Sequence, residues 1–281
     1  MNFLNPFKHP LALLGLLLVG GWVLMALFAP WLAPHDPLES FTPLLTPMTP
    51  MTPDGNGMHF LLGTDMIGRD ILSRLIWGTR TVLFWSILAT LTAFAVGIAM
   101  GLCAGYFNGW VDALLSYVAD TVLSFPVLVL YIVIIIALGA SALNILIAVT
   151  FTSAPAIFRI LRALTIDIRS RDYVLSAITQ GEGSLRIMLV EILPNCGGPL
   201  IVDFCLRIGY TAIMIGALGF LGLGLPPPTP DWGGMINEGR SMAIAFPHLV
   251  IFPCIAISTL MLGLSLLADG LDEHAQKGAR S

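Results

Sequence analysis

Long apolar runs without a charged side chain limit most strongly the folds open to this sequence. Residues 11–33, 81–111 and 121–158 contain no Asp, Glu, Lys or Arg. A helix rises about 1.5 Å per residue and needs roughly 20 apolar residues to cross a bilayer. Only 11% of the 281 residues are charged, whereas a soluble domain has about a quarter. The sequence therefore predicts an all-α membrane protein.

Six spans account for the apolar runs. The stretch 121–158 is too long for one crossing, and extending it back to residue 114, which takes in Asp120, gives room for two. The turn between them falls at Gly139-Ala140-Ser141. The predicted spans lie near 11–33, 81–105, the two halves of 114–158, 199–222 and 246–268. An even number of spans places both termini on the same side of the membrane.

Positive charge predicts which side that is. With the N-terminus inside, the inner segments carry the larger set of cations, namely Lys8, Arg159, Arg162, Arg169, Arg171, Arg186, Lys277 and Arg280. The outer segments carry Arg69, Arg74, Arg80 and Arg240. Because cytoplasmic loops are enriched in Lys and Arg, both termini are predicted to be cytoplasmic.

Composition argues against several function classes. A net charge of −4 without a basic patch gives no reason to expect a nucleic-acid partner. The four cysteines form no CxxC pair and are interpreted as small buried hydrophobes, so neither a metal site nor a catalytic residue is predicted. The first apolar run is longer than the roughly 7–15 residues of a signal-peptide core, and we interpret it as a retained span.

The energy source for transport is not visible in this chain. A phosphate-binding loop needs a lysine in a GxxxxGK setting, and the two lysines, Lys8 and Lys277, have no such context. Transport would then be passive, driven by an ion gradient, or driven by a partner that hydrolyses ATP. An ion-driven carrier usually holds acidic groups deep in the membrane.

Three acidic residues lie in or beside the spans: Asp120, Asp203 and Asp269. For Asp120, helix packing or a helix-dipole interaction competes with a role in proton relay. Asp203 and Arg207 are four residues apart, so they share a helix face and are predicted to pair. Either this pair only neutralises its charges near the inner interface, or Arg207 faces the pathway and binds a carboxylate-bearing solute. The sequence leaves both interpretations open.

The longest inner segment, 160–198, has the pattern of a helix–turn–helix. Apolar residues at helical spacing predict a first helix over roughly 157–180. After a break with two glycines, Ser184 is predicted to cap a second helix at 185–192, which Pro194 ends. A short exposed helix suits docking into a groove of a partner protein. The alternative is a surface helix pair that merely covers the bundle.

The same segment resembles the EAA coupling motif of ABC-importer permeases. The matching positions are Tyr173, Val174, Ala177, Gly181, Arg186, Ile187, Leu193, Pro194 and Asn195. Leu175 stands where the motif has Glu, Ser176 where it has Ala, and Glu182-Gly183 where it has Ala-Ser. The resemblance implies contact with an ATPase subunit through Tyr173, Val174, Ser176, Ala177, Gly181, Arg186, Ile187, Pro194 and Asn195.

Further stretches resemble the dipeptide/oligopeptide/nickel permease family. They are residues 62–80, with its LGTDxxGRDxxSRxxxGxR pattern, 104–130, 221–240, with its GLGxxPPxPxWGxM pattern, and 267–272. On the residues alone, 70–80 is predicted to lie as an amphipathic segment at the outer interface. Pro126 is predicted to kink the third span, and 235–243 to form a short outer helix.

The resemblance implies a six-helix type I importer permease, the second or C-type subunit of its system. It divides the chain into a first span with a periplasmic segment (1–78), a permease domain (79–272) that contains the coupling loop 160–198, and a cytoplasmic tail (273–281). The candidate pathway residues, chosen for their charge within the spans and not from the resemblance, are Asp203, Arg207 and Asp120.

The implied partners are a second permease, two ATPase subunits that bind ATP and Mg, and a periplasmic solute-binding protein. All would assemble at a bacterial inner membrane, and this chain would itself hold no cofactor. The implied solute is a di- or oligopeptide, or a related nickel chelate, glutathione or opine. The alternatives are an ion-driven carrier or channel that works without an ATPase, and a membrane scaffold.

Overall fold

The computed structural model describes the backbone of residues 10–42, 44 and 60–280, and the side chains of this part up to residue 272. Lys8 and the side chains of Lys277 and Arg280, which contributed to the predicted charge asymmetry, lie outside it. The helices are α1 (Pro10–Leu27), α2 (Ala29–Leu32), α3 (Ile71–Phe107), α4 (Gly109–Leu123), α5 (Val127–Leu138), α6 (Ala142–Arg169), α7 (Asp172–Thr179), α8 (Ser184–Arg186), α9 (Gly197–Phe220), α10 (Trp232–Gly239) and α11 (His248–Arg280).

Within the described residues, five helical segments are long and apolar enough to cross a membrane. They are α1, α3, α6, the continuous stretch Ser184–Phe220 and the part His248–Asp272 of α11. A sixth crossing exists if α4 and α5, which meet at an angle of 91°, form one broken span. The predicted all-helical fold is confirmed, and the six predicted spans correspond to the upper count.

The break between α4 and α5 falls where Pro126 was predicted to kink the third span. α4 ends at Leu123, and Pro126 precedes the first residue of α5. Proline has no N–H to donate to the preceding turn, and its ring clashes with the carbonyl four residues earlier. The kink is confirmed, and the chain changes direction more sharply than a bent helix would.

The predicted amphipathic segment at 70–80 is wrong. Asp70 caps α3 by accepting a hydrogen bond from the Ser73 N–H at 3.0 Å, and the helix then runs unbroken to Phe107. Ile71, Arg74 and Ile76 are buried. The arginine has protein partners, described below, so this stretch packs against the protein and does not lie on the membrane surface.

Glycines set the distance between α3 and α6, which run parallel. Gly97, Gly101 and Gly105 recur at every fourth residue and therefore share a face of α3. A Cβ atom at any of them would lie 2.6–2.8 Å from a Cβ atom of α6. The residues that they meet are Ile157, Leu161 and Thr165. Small residues let membrane helices approach closely, where dispersion contacts hold them together.

The inner segment differs from its prediction in three places. The helix expected over 157–180 is divided, because α6 ends at Arg169 and α7 begins at Asp172. Ser184 is not a cap: Gly183 holds the N-cap position, and no side chain caps α8.

Pro194 does not end the helix either. Proline lacks one backbone donor, and the hydrogen-bond pattern around it is irregular. A π turn, Ile187–Ile192, precedes it, and it lies in a 3₁₀ turn, Leu193–Cys196. The chain then continues directly into α9.

The outer segment folds back against α3 through α10. This helix begins at Trp232, three residues before the predicted 235–243, because Asp231 caps it by accepting a hydrogen bond from the Gly234 N–H at 2.9 Å. Trp232 is fully buried, and its indole N–H donates to the Leu75 carbonyl at 3.1 Å. α10 is thereby fixed to the outer end of α3.

Candidate functional site

The inner loop is anchored to the bundle by three of the residues predicted for coupling. Val174 and Ala177 of α7 and Ile187 of the π turn are buried. They share one hydrophobic cluster with residues of α3, α6 and α9, among them Leu102, Leu161 and Leu200. A displacement of α7 would therefore act directly on α6 and the π turn, and through the shared cluster on α3 and α9.

Gly181 forms the turn after α7. The Glu182 N–H donates to the Ala177 carbonyl at 3.2 Å, and the Gly181 N–H to the Ile178 carbonyl at 3.0 Å. This is the Schellman arrangement, which needs a residue with positive φ after the helix. Gly181 has φ +79°, whereas Gly183 has φ −66°. Steric crowding does not explain the glycine at 181, because a Cβ atom there would meet no atom within 4 Å. The positive φ of the backbone explains it.

The other predicted coupling residues lie on the free side of the loop. Tyr173, Ser176, Gly181, Arg186, Pro194 and Asn195 are exposed. So are apolar side chains that the sequence analysis did not assign to the site: Leu175, Ile178, Leu185, Leu189 and Val190. The helical spacing could have identified them as exposed, because they lie on a different side of α7 and of the following turns from the buried residues. The loop thus presents apolar side chains interspersed with charged ones, among them the exposed Arg171, Asp172 and Arg186, the last of which lies 3.5 Å from Glu182.

Asp203 and Arg207 pair as predicted. Arg207 Nε donates to Asp203 Oδ2 at 2.6 Å, and the side chains are 18% and 17% exposed respectively. The pair is partly buried on α9, and the contact gives each charge a partner.

Asp120 has an arginine partner that the sequence analysis missed. Arg159 of α6 donates to Asp120 Oδ1 at 2.6 Å, although Arg159 had been counted only as an inner-loop cation. A second contact between the same helices joins Arg162 Nη2 to Asp112 Oδ2 at 2.5 Å. Residues 39 or 50 positions apart on different helices give no local pattern from which such pairing could be predicted.

A four-residue ion network joins the outer end of α3 to α10. Asp65 Oδ2 accepts hydrogen bonds from Arg69 Nε at 2.7 Å and Arg74 Nη1 at 2.5 Å. Glu238 Oε2 accepts from Arg69 Nη2 at 2.6 Å and Arg74 Nη1 at 2.7 Å. The Arg74 side chain is only 4% exposed. The sequence pattern at 62–80 marked three of these residues but gave no indication of their partner, Glu238.

Asp231, the N-cap of α10, lies close to this network. Burial raises the pKa of its carboxyl group, and hydrogen bonds from the backbone N–H groups of Gly234 and Gly233 oppose the rise. The arrangement favours a structural role for Asp231, because its oxygens are directed at the helix end that they cap.

Taken together, a bundle of membrane-spanning helices with an exposed helical loop is the architecture of a transmembrane transport subunit. The comparisons with known proteins agree. Residues 93–281 match the family described as "Binding-protein-dependent transport system inner membrane component", and residues 7–59 match "N-terminal TM domain of oligopeptide transport permease C". The chain belongs to this family of permeases. It is therefore a multi-span inner-membrane transport subunit and not an enzyme.

Relatives cover nearly the whole chain. It is 41% identical over 261 residues to the dipeptide transport system permease protein DppC of Haemophilus influenzae, covering 92% of this chain and 88% of that one. It is 36% identical over 249 residues to the glutathione transport system permease protein GsiD of Pectobacterium atrosepticum, covering 89% and 81%.

A solved structure shows the same fold at low sequence identity. A crystal structure of an amino acid ABC transporter with histidines aligns with a TM-score of 0.53 at 16% identity, covering 72% of this chain and 94% of that one.

Proposed function

We propose that this chain is the second permease of an ATP-driven importer for dipeptides, tripeptides, glutathione or a solute of similar chemistry. The relatives named for dipeptide and glutathione transport support this substrate class. The observation that carries the proposal is the inner loop, which combines buried anchors on three spans with an exposed apolar surface. Such a surface suits a protein partner that supplies the energy for transport.

The orientation follows from charge. Both termini and the loop 160–198 are cytoplasmic, because the larger set of arginines lies on that side. The segments 34–78 and 223–245 then face the periplasm. With this orientation, the exposed surface of α7 is available to a soluble ATPase.

The mechanism is mechanical and not chemical. Two ATPase subunits bind ATP and Mg, and their closure moves α7. The cluster beneath α7 passes that movement to α3, α6 and α9, which together with a second permease switch the access of the pathway from one side to the other. A periplasmic solute-binding protein delivers the solute, and this chain holds no cofactor.

The test is transport by the whole complex. Both permeases, both ATPases and the binding protein are reconstituted in vesicles, and uptake of a radiolabelled dipeptide is measured with and without ATP. Uptake that requires ATP and the ATPase subunits supports the proposal. Uptake by the permeases alone, driven by an ion gradient, would favour the competing carrier or channel.

Arg186 is expected to contribute to docking of the ATPase. It is exposed on the coupling surface beside Glu182. Arg186→Glu should weaken capture of the ATPase subunits about three- to tenfold, because it reverses one charge in a contact area where exposed charges are each worth about 1 kcal/mol. The measurement is a titration of detergent-purified permease pair with the ATPases.

Arg240→Glu provides the control for this experiment. It makes the same charge change on the exposed outer 3₁₀ turn, Arg240–Met242, and should leave the affinity unchanged. Equal affinities of wild type and Arg186→Glu would remove Arg186 from the interface.

We also propose that Asp203, Arg207 and Asp120 border the translocation pathway. For the first two, Asp203→Asn is informative, because it removes the charge of the partly buried pair and nearly keeps the shape of the side chain. A pathway role therefore predicts a clear loss of uptake with unchanged amounts of assembled complex.

The control is Asp167→Asn, which breaks a similar i, i+4 pair with Arg171 on the inner surface. It should alter neither quantity. If Asp203→Asn lowers assembly and uptake in parallel, the pair has a structural role only.

A further inference from the structure

The exposed part of α4 has two chemically different faces. Successive residues of a helix turn by roughly 100°. The side packed on the bundle includes Ala119 and Val122. One free face is apolar and carries Leu114 and Val118, whereas the neighbouring one is polar and carries Tyr117, Asp120, Thr121 and Ser124. The spacing of the polar set, at i, i+3, i+4 and i+7, makes it one continuous stripe.

The apolar face has the character of a lipid-exposed surface. Val118 and Val122 border an open apolar groove of about 350 Å³ between α4, α3 and α6. Exposed Ile147 and Phe151 of α6 line the same groove. Hydrocarbon can cover all these side chains at no cost, so this face needs no further partner.

The polar face does not fit lipid. Its Asp120 and its partner Arg159 on α6 are 60% and 57% exposed. α6 is long and apolar enough to cross a membrane, and α4 forms the sixth crossing if it and α5 are one broken span. Arg159 lies in the half of α6 that ends at the inner loop, where a charge costs less than the roughly 2.5–3.5 kcal/mol of the bilayer centre but still needs water or a partner. Pairing lowers that cost but leaves the outer side of both groups open. The face is therefore solvated by water or covered by polar protein.

The stripe also continues to the break in the third span. Ser124 is the last residue before Phe125 and Pro126, where backbone groups leave the regular hydrogen-bond pattern. Irregular backbone at membrane depth occurs where it is buried in protein or lines a water-filled cavity. Since Ser124, Phe125 and Pro126 are exposed in this chain, a hydrated cavity explains both the polar stripe and the open break.

We propose that the polar face of α4, together with Arg159, lines the hydrated passage and receives zwitterionic solutes. This inference rests on the proposed function and specifies how the solute is held. The α-ammonium group of a peptide can replace Arg159 at Asp120, while its carboxylate binds Arg159. Each charge then keeps a partner throughout the exchange, which avoids the cost of an unpaired charge in the membrane.

The neighbouring pair of Asp112 and Arg162 is less suited to such an exchange. Both nitrogens of the Arg162 fork, Nε and Nη2, contact the two oxygens of Asp112, and Ser116 donates to the same carboxylate. The pair is also less exposed, at 17% for Asp112 and 35% for Arg162. It holds α4 against α6, whereas the single contact at Asp120 leaves coordination sites free for a solute.

Thiol labelling of the assembled complex tests the position of the face. In a background with alanine at Cys103, Cys196, Cys205 and Cys254, Thr121→Cys and Ser124→Cys should react with a charged, membrane-impermeant methanethiosulfonate. Val118→Cys, on the adjacent apolar face, is the matched control and should react at least about tenfold more slowly, because the reagent needs water and a thiolate. An excess of dipeptide should protect Thr121→Cys and Ser124→Cys.

Two labelling results would overturn the inference. Equal labelling rates on both faces would mean that the polar face is no more accessible to water than the apolar face. Labelling of Ser124→Cys in the isolated subunit but not in the complex would mean that the second permease covers the polar face.

Charge variants test solute binding in the same vesicles. Asp120→Asn and Arg159→Gln should each reduce dipeptide uptake about tenfold or more while ATP hydrolysis stimulated by the binding protein is retained, whereas Asp112→Asn should lower assembly instead. Unchanged uptake in both variants refutes the exchange. The wild-type complex is the control for the proposed function. If it shows no ATP-dependent uptake, the importer function itself is rejected, and not only the exchange at Asp120.

Discussion

Replacing Gly101 with leucine should destabilise the folded membrane state and sharply lower the fraction of molecules that reach it. A Cβ atom at this position would lie 2.8 Å from the Leu161 Cβ atom, 3.1 Å from the Arg162 nitrogen and 3.1 Å from the Phe158 carbonyl oxygen. Two of these three neighbours are backbone atoms, which cannot rotate away, so α3 and α6 must separate. Overpacking of this kind costs about 1–3 kcal/mol and occasionally more, and here it opens a whole helix interface.

The measurement is the fraction of monodisperse subunit after extraction in mild detergent, together with its thermal denaturation midpoint. We expect the midpoint to fall by about 5 °C or more. Gly21→Leu is the matched control, because a Cβ atom at Gly21 of α1 meets nothing within 4 Å. If both variants fold equally well, the glycine line does not set the distance between α3 and α6.

Replacing Gly181 with valine should abolish ATP-dependent uptake while membrane insertion stays normal. The Schellman turn needs φ near +79° at this position, where a β-branched residue is strained by about 1–3 kcal/mol. Strain of that size is enough to displace α7, a helix of only 8 residues. The spans do not depend on this turn, so the chain should still insert and pair with the second permease.

Gly183→Val separates backbone strain from the mere presence of a side chain. Gly183 has φ −66° and ψ 140°, which valine adopts readily, and a Cβ atom there also meets nothing within 4 Å. We expect wild-type uptake in this variant and near-background uptake in Gly181→Val, both normalised to assembled complex. Wild-type uptake in Gly181→Val would show that the turn after α7 can change shape without loss of coupling.

The features predicted well from sequence are those set by local chemistry. Long charge-free runs identified the spans, because lipid selects apolar side chains at every exposed position. Pro126 identified the break in the third span, since the missing donor acts wherever the residue stands. The i, i+4 spacing of Asp203 and Arg207 identified their ion pair, because both residues lie on one helix.

The features that the sequence did not reveal depend on contacts between distant segments. The ion network of Arg69 and Arg74 with Glu238 and the pairing of Asp120 with Arg159 both require the packed bundle. The 70–80 segment looked amphipathic for the same reason, because Arg74 seemed to need water although its partners are Asp65 and Glu238. In the inner segment, tertiary packing of Ile187 and Ile192 outweighed the local tendency of Pro194 to end a helix.

The π turn at Ile187–Ile192 accommodates one extra residue in the connection from α8 to α9. A π turn holds about one residue more than an α turn, so regularising it would rotate α9 by roughly 100° and shift it by about 1.5 Å relative to the loop. α9 carries Asp203 and Arg207 at fixed points on its circumference. A single deletion within this turn would remove the extra residue and leave both charges where they are, whereas regularising the turn at its full length would re-aim them.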